Sequence, residues 1–81
     1  MSGNSEETRR QITEVMSRVL RISPEIVAKV TPPDVEAWDS QTHVALVVAL
    51  EEQFGVMFEP EDVPELTSLD SIEEMLRRYG A

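Results

Sequence analysis

Trp38-Asp39-Ser40-Gln41-Thr42-His43-Val44-Ala45-Leu46-Val47-Val48-Ala49-Leu50-Glu51-Glu52-Gln53-Phe54-Gly55 is the stretch whose reading decides the fold. It predicts a helix that starts at Asp39-Ser40, runs to about Phe54 and is ended by Gly55. Leu46, Val47, Leu50 and Phe54 fall at i, i+1, i+4 and i+8 and make a core face. Val44 and Val48 form a second pair at i, i+4 that points elsewhere. One amphipathic stripe needs fewer apolar positions than this. Either the second pair is an exposed partner site, or the helix is central and buried on two sides.

Working outward, no flanking segment has the alternating pattern of a strand. From about Ser5 to Leu20, Ile12, Val15, Met16, Val19 and Leu20 form one apolar stripe. Ser5 is the expected cap of this first helix, with Glu6 and Glu7 favoured at its positive end. The four residues before it, 1–4, are expected to be disordered. Ser23-Pro24-Glu25 suggests a short helical turn within Ser23–Lys29. Pro32 and Pro33 should then stop regular structure, leaving Thr31–Trp38 as a loop. After Gly55, Val56-Met57-Phe58 reads as a short extended run. Pro60-Glu61-Asp62-Val63 opens a brief helical turn cut at Pro64. A last helix begins near Ser68 and carries Leu69, Ile72, Met75, Leu76 and Tyr79 on one face, with Gly80 ending it. The sum is a single all-α domain, a small four-helix bundle. It has three longer helices and one short one, with a long loop between the first and second.

The composition narrows what such a bundle does. At 81 residues it buries a modest core and leaves no room for a deep catalytic cavity as well, which favours a carrying or binding module over an enzyme. The chain has no cysteine and one histidine, so thiolate and His-rich metal sites and a cysteine nucleophile are excluded. No run approaches the roughly 18 apolar residues of a membrane span, and no signal-peptide pattern opens the chain. A cytoplasmic monomer is the expectation. The net charge is −9, and from Asp34 to Leu76 there are twelve carboxylates and no lysine or arginine. Such a field repels nucleic acid and steers basic protein surfaces toward the chain. Glu59, Glu61 and Asp62 lack the spacing and glycine of a calcium loop and read as a solvated face. Asp39, Ser40 and His43 share the residue types of a hydrolytic triad. They crowd into one helical turn without an oxyanion hole, so that reading is set aside.

Asp39-Ser40 at a helix start, followed at matching spacing by Leu50-Glu51-Glu52-Gln53-Phe54-Gly55, resembles the acyl carrier proteins, from about Ile12 to Tyr79. The Trp38-Asp39-Ser40-x-x-His43 form is similar to discrete bacterial carriers. The resemblance implies an acyl-carrier-protein-like bundle with a 4'-phosphopantetheine arm on Ser40, whose thiol holds acyl groups as thioesters. It implies that Asp39 is read by a phosphopantetheinyl transferase. It also implies partners with basic docking surfaces: an acyl-loading ligase or transferase, and condensing or other acyl-processing enzymes. A helix start suits the phosphodiester. His43, one turn beyond Ser40, is a candidate contact for the arm, or else a solvated surface histidine. Gln41, Val44, Val48, Glu51, Glu52 and Asp62 are the candidate partner-binding residues.

The chain departs from the family pattern in instructive places. Gln41 stands where a leucine usually follows the modified serine. Thr42 and Ala45 replace acidic positions, which shifts acidic recognition toward Glu51, Glu52, Asp62, Glu65 and Asp70. Trp38 replaces a small apolar residue and is expected to pack under the loop as a lid on the core, or else to line the path of the arm. These differences suggest a specialised fatty-acid, polyketide or lipid pathway. An aminoacyl, peptidyl or D-alanyl carrier is the close alternative, although the Gly-Gly-Asp-Ser pattern of peptidyl carriers is absent. An unmodified acidic adaptor for a basic protein is the rival from another class. Val44, Leu46, Val48, Met57, Phe58 and Ile72 would line any acyl-sheltering cavity, with ordinary core packing the default.

Overall fold

The computed structural model describes residues 3–80, with side chains from Glu6 onward. Three α-helices carry the fold: α1 (Gly3–Leu20), α2 (Ser40–Phe54) and α3 (Leu69–Arg78). Three 3₁₀ turns lie between them, at Val27–Lys29, Pro32–Asp34 and Pro60–Glu65. The six-residue turn Pro60–Glu65 takes the place of the expected short helix. There is no strand among the described residues.

The apolar stripe of α1 is the hub, because α1 packs against both α2 and α3. Ile12, Val15, Met16 and Leu20 of α1 are buried with Leu46, Val47 and Leu50 of α2 and Leu69, Ile72, Met75 and Leu76 of α3. Val19 and Phe54 pack on this core while partly exposed. Val27, Val30, Val35, Trp38, Phe58 and Leu66 come from the connections, so the loops are fastened to the core. The Cα radius of gyration, 11.7 Å, equals the value of about 11.7 Å expected of a compact chain this long. On the outside, Arg9 reaches Asp70 at 3.0 Å and Glu73 at 2.6 Å, tying α1 to α3.

Three local expectations are corrected. α1 begins at Gly3, so Ser5 lies inside the helix rather than capping it, and Gly3 and Asn4 of the expected disordered start are helical. Met1 and Ser2 lie outside the described residues. The prolines do not leave a plain loop after Thr31. Pro32 opens a 3₁₀ turn, since its fixed φ suits a first helical position. Asp34 closes that turn by accepting hydrogen bonds from the Thr31 N–H at 3.0 Å and the Thr31 hydroxyl at 3.1 Å. The turn expected within Ser23–Lys29 is regular only over Val27–Lys29.

α2 and α3 end and begin as the sequence predicts. Gly55 sits at φ +67°, the left-handed conformation that closes a helix at little cost for glycine, and its N–H donates to the Glu51 carbonyl. Ser68 caps α3: its hydroxyl accepts from the Ser71 N–H at 3.0 Å, and Ser71 Oγ accepts from the Ser68 N–H at 3.0 Å.

Candidate functional site

The site is built around the first turn of α2. Asp39 is extended (φ −98°, ψ −173°) and is the helix cap. Its carboxylate accepts from the Thr42 N–H at 2.9 Å, and its carbonyl accepts from the His43 N–H at 2.8 Å. The Thr42 N–H bond holds the Asp39 carboxyl below the usual carboxylate range. Ser40 is therefore the first helical residue and not the cap. Its side chain is exposed and its hydroxyl is not committed to the helix end, which removes the commonest ordinary explanation for a serine at this point. A helix start also leaves amides with no intrahelical partner, and Asp39 takes only one of them.

His43 looks the other way. It is half-buried, and both ring nitrogens are engaged. Nδ1 accepts from the Trp38 indole N–H at 2.9 Å, and Nε2 lies 2.9 Å from the Val63 carbonyl. A carbonyl only accepts, so Nε2 carries the proton and the imidazole is neutral. The indole and imidazole planes differ by 25° with centroids 6.2 Å apart. With a nitrogen-to-nitrogen bond joining the rings, this is an edge-to-edge pair rather than a face stack. Trp38 is 5% exposed and its indole N–H needs a partner once buried. It is the expected lid on the core, and His43 is what satisfies it. The solvated-surface reading of His43 does not hold. A contact from His43 to an arm is limited to ring carbons, since both nitrogens are occupied.

Ser40 opens onto a cleft of about 390 Å³. Pro32 and Trp38 form the wall on the loop side, and Pro64 and Thr67 the wall on the side of the Pro60–Glu65 turn. His43, Val44, Asp39 and Ser40 of α2 lie between these walls. The lining is mostly carbon. Pro32, Pro64 and Thr67 were not among the candidate site residues. Prolines in both connections were the available signal, because each fixes a rigid turn beside α2.

The remaining candidates separate into two sets. Gln41, Val44, Val48 and Glu52 are exposed, with Val44 at 60% and Val48 at 45%, so the second apolar pair of α2 faces solvent. Glu51 and Asp62 are engaged inside the chain. Glu51 accepts from the Phe58 N–H at 2.9 Å. Asp62 accepts from the Tyr79 hydroxyl at 2.7 Å, which raises the Tyr79 phenol above its usual value. Tyr79 in turn accepts from the Glu59 N–H. Asp70 is occupied by Arg9. The acyl-cavity set also divides. Leu46, Phe58 and Ile72 are ordinary core, while Met57 is 81% exposed. No group of residues that could hold a metal ion occurs among the described residues. No helix there is long and apolar enough to cross a membrane.

Residues 10–76 match the family described as a phosphopantetheine attachment site. The chain belongs to this family. It is a phosphopantetheine-binding carrier protein, and its cofactor is a covalently attached 4'-phosphopantetheine. When bound, that group supplies the thiol the cysteine-free chain lacks. The residues present fit it: an uncommitted, exposed serine hydroxyl, a helix start suited to a phosphodiester, and a carbon-walled cleft at the serine. A carrier of this family interacts with a phosphopantetheinyl transferase and with acyl-processing enzymes. No curated protein matches the chain.

Proposed function

We propose that Ser40 is the attachment residue and that the carrier holds acyl intermediates as thioesters, presenting them to the enzymes of a specialised fatty-acid, polyketide or lipid pathway. The observation that supports this reading most directly is the division of labour at the start of α2: Asp39 caps the helix and Ser40 is left free and exposed. In the transfer, the Ser40 hydroxyl attacks the pyrophosphate of coenzyme A. Its oxygen forms the new phosphodiester, its proton passes to base, and adenosine bisphosphate leaves. Asp39, charged and at the surface, is the adjoining mark for the transferase and its metal.

The exposed Gln41, Val44, Val48 and Glu52 form the docking face on this reading, with an apolar centre and an acidic rim for basic partners. Glu51 and Asp62 support that face from inside. The chain acts as a shuttle and not as an enzyme, and the cytoplasm is where its coenzyme A and partners would be met.

Incubation with a phosphopantetheinyl transferase and coenzyme A, followed by intact mass measurement, is the test. A gain of one phosphopantetheine that disappears in Ser40→Ala supports the proposal. A gain that persists in Ser40→Ala moves the arm to another residue. No gain with any transferase sinks the reading in favour of an unmodified adaptor.

A further inference from the structure

The cleft at Ser40 has two walls that are far apart in sequence, and one side chain is bonded to both. His43 accepts from Trp38 on the loop wall and donates to the Val63 carbonyl beside Pro64 on the other. Trp38, His43 and Pro64 all line the cleft. We propose that His43, as the neutral imidazole protonated on Nε2, is the positioning residue that clasps the two walls and sets the width of the cleft beside Ser40, and that its protonation releases the Trp38 wall.

The asymmetry follows from the donor inventory. A proton added to His43 goes to Nδ1, the only ring nitrogen with an in-plane lone pair, which is the one that accepts from Trp38. Nδ1–H then faces the indole N–H, donor against donor, and that bond is lost. The bond from Nε2–H to Val63 is retained and gains charge assistance. The Trp38 wall is therefore no longer tied to α2 through His43, while the Val63–Pro64 wall stays bonded to it.

The charged groups on the packed segments are all carboxylates. They are Asp39, Glu51 and Glu52 on α2 and at its cap, Asp34 and Glu36 in the loop that carries Trp38, and Glu59, Glu61, Asp62 and Glu65 in and beside the turn that carries Val63. Asp34 is held by Thr31, Asp39 by the Thr42 N–H and Asp62 by Tyr79. No lysine or arginine lies between Asp34 and Leu76. What protonation disrupts is thus the Trp38 bond and not an ion pair.

That the cleft serves an arm rests on Ser40 being its attachment point, so the clasp is tested where no arm can be attached. The chain has one tryptophan and one histidine, and histidine is the side chain whose unperturbed charge change falls between about pH 5 and 8. In Ser40→Ala, Trp38 emission and its quenching by acrylamide are followed across that range, with the tautomer of His43 read from its imidazole ¹⁵N shifts. The expected result is an Nε2–H tautomer at neutral pH. On acidification, Trp38 emission should shift to the red and quenching should rise, tracking His43 protonation while the far-UV helix signal stays constant. His43→Leu should show the exposed Trp38 signature at every pH. His43→Gln, which keeps a donor and an acceptor, should recover part of the protection without any pH dependence. An Nδ1–H tautomer, Trp38 signals that stay flat while His43 protonates, or wild-type protection in His43→Leu would each overturn the clasp. Failure of the mass gain in the wild-type chain would instead overturn the role of Ser40.

Discussion

Glu51 and Glu52 are adjacent carboxylates at the end of α2, and only one of them is bonded to the rest of the chain. Glu51 accepts from the Phe58 N–H at 2.9 Å in a half-buried setting. Phe58 is buried and packs edge-on against Tyr79, with ring centroids 5.2 Å apart. In Glu51→Ala the Phe58 N–H loses a charge-assisted bond worth about 1.5–3 kcal/mol. The partial exposure of Glu51 favours the lower end of that range. Against this, a carboxylate in the last turn opposes the helix dipole by about 0.3–1 kcal/mol, which the substitution recovers. The net expectation is a loss of about 1 kcal/mol. Glu51→Gln keeps an acceptor and removes the unfavourable charge, so it should lie within about 0.5 kcal/mol of wild type. Glu52→Ala removes an exposed side chain and should also stay within about 0.5 kcal/mol. Urea unfolding reads the difference. With a slope of about 1 kcal/mol per molar for a small domain, the midpoint of Glu51→Ala should fall by about 1 M, with the slope unchanged. Equal midpoints for Glu51→Ala and Glu52→Ala would refute the structural assignment of Glu51 and return it to the docking face.

Two further outcomes follow from the start of α2. The Asp39 carboxyl is held low by the Thr42 N–H, so the stability it contributes is fully present above the unfolded carboxylate value of about 3.9. That contribution is lost as pH falls through its lower folded value. Thermal melts should find Asp39→Ala less stable than wild type at neutral pH, with the gap closing in acid below about pH 4; a gap that persists there would contradict the capping role. Val44 and Val48 are exposed, so Val44→Ser with Val48→Ser should leave the melting temperature almost unchanged. The same pair should slow loading by a cognate acyl ligase, and an unchanged loading rate would remove these valines from the docking face.

The helices were legible because each carried its own period and its own stop signals. Ile12, Val15, Met16 and Leu20 could hardly be read otherwise, and Gly55 after Phe54 marked a helix end that only a left-handed residue closes cheaply. Ser5 misled because a good capping residue near a helix start need not be the one used. The connections were harder. Pro32 was read as a stop, yet the same fixed φ that breaks a helix interior also opens a 3₁₀ turn. Whether Val44 and Val48 faced solvent depended on which side of α2 the other helices covered, and that is a property of packing and not of the α2 sequence. Glu51 and Glu52 are identical to any composition-based reading. They differ only because the backbone at Phe58 returns past one of them. The Trp38–His43–Val63 chain spans 25 residues from end to end in sequence, and no local pattern announces that its three members meet.

One turn of helix thus gives three neighbouring side chains three different tasks. Asp39 turns back onto the Thr42 amide and fixes where α2 begins. His43, a turn later, reaches inward and is held by a loop on one side and a 3₁₀ turn on the other. Ser40 lies between them in sequence and is the one of the three left exposed without a task in the fold. If serine were the cap, a bulky group on its hydroxyl would compete with the helix end. If the inner side of the turn were unanchored, a flexible arm would be mounted on a flexible base. With aspartate as the cap and histidine as the anchor, the hydroxyl can be substituted without disturbing either bond, and the base beneath it stays fixed while whatever it carries moves.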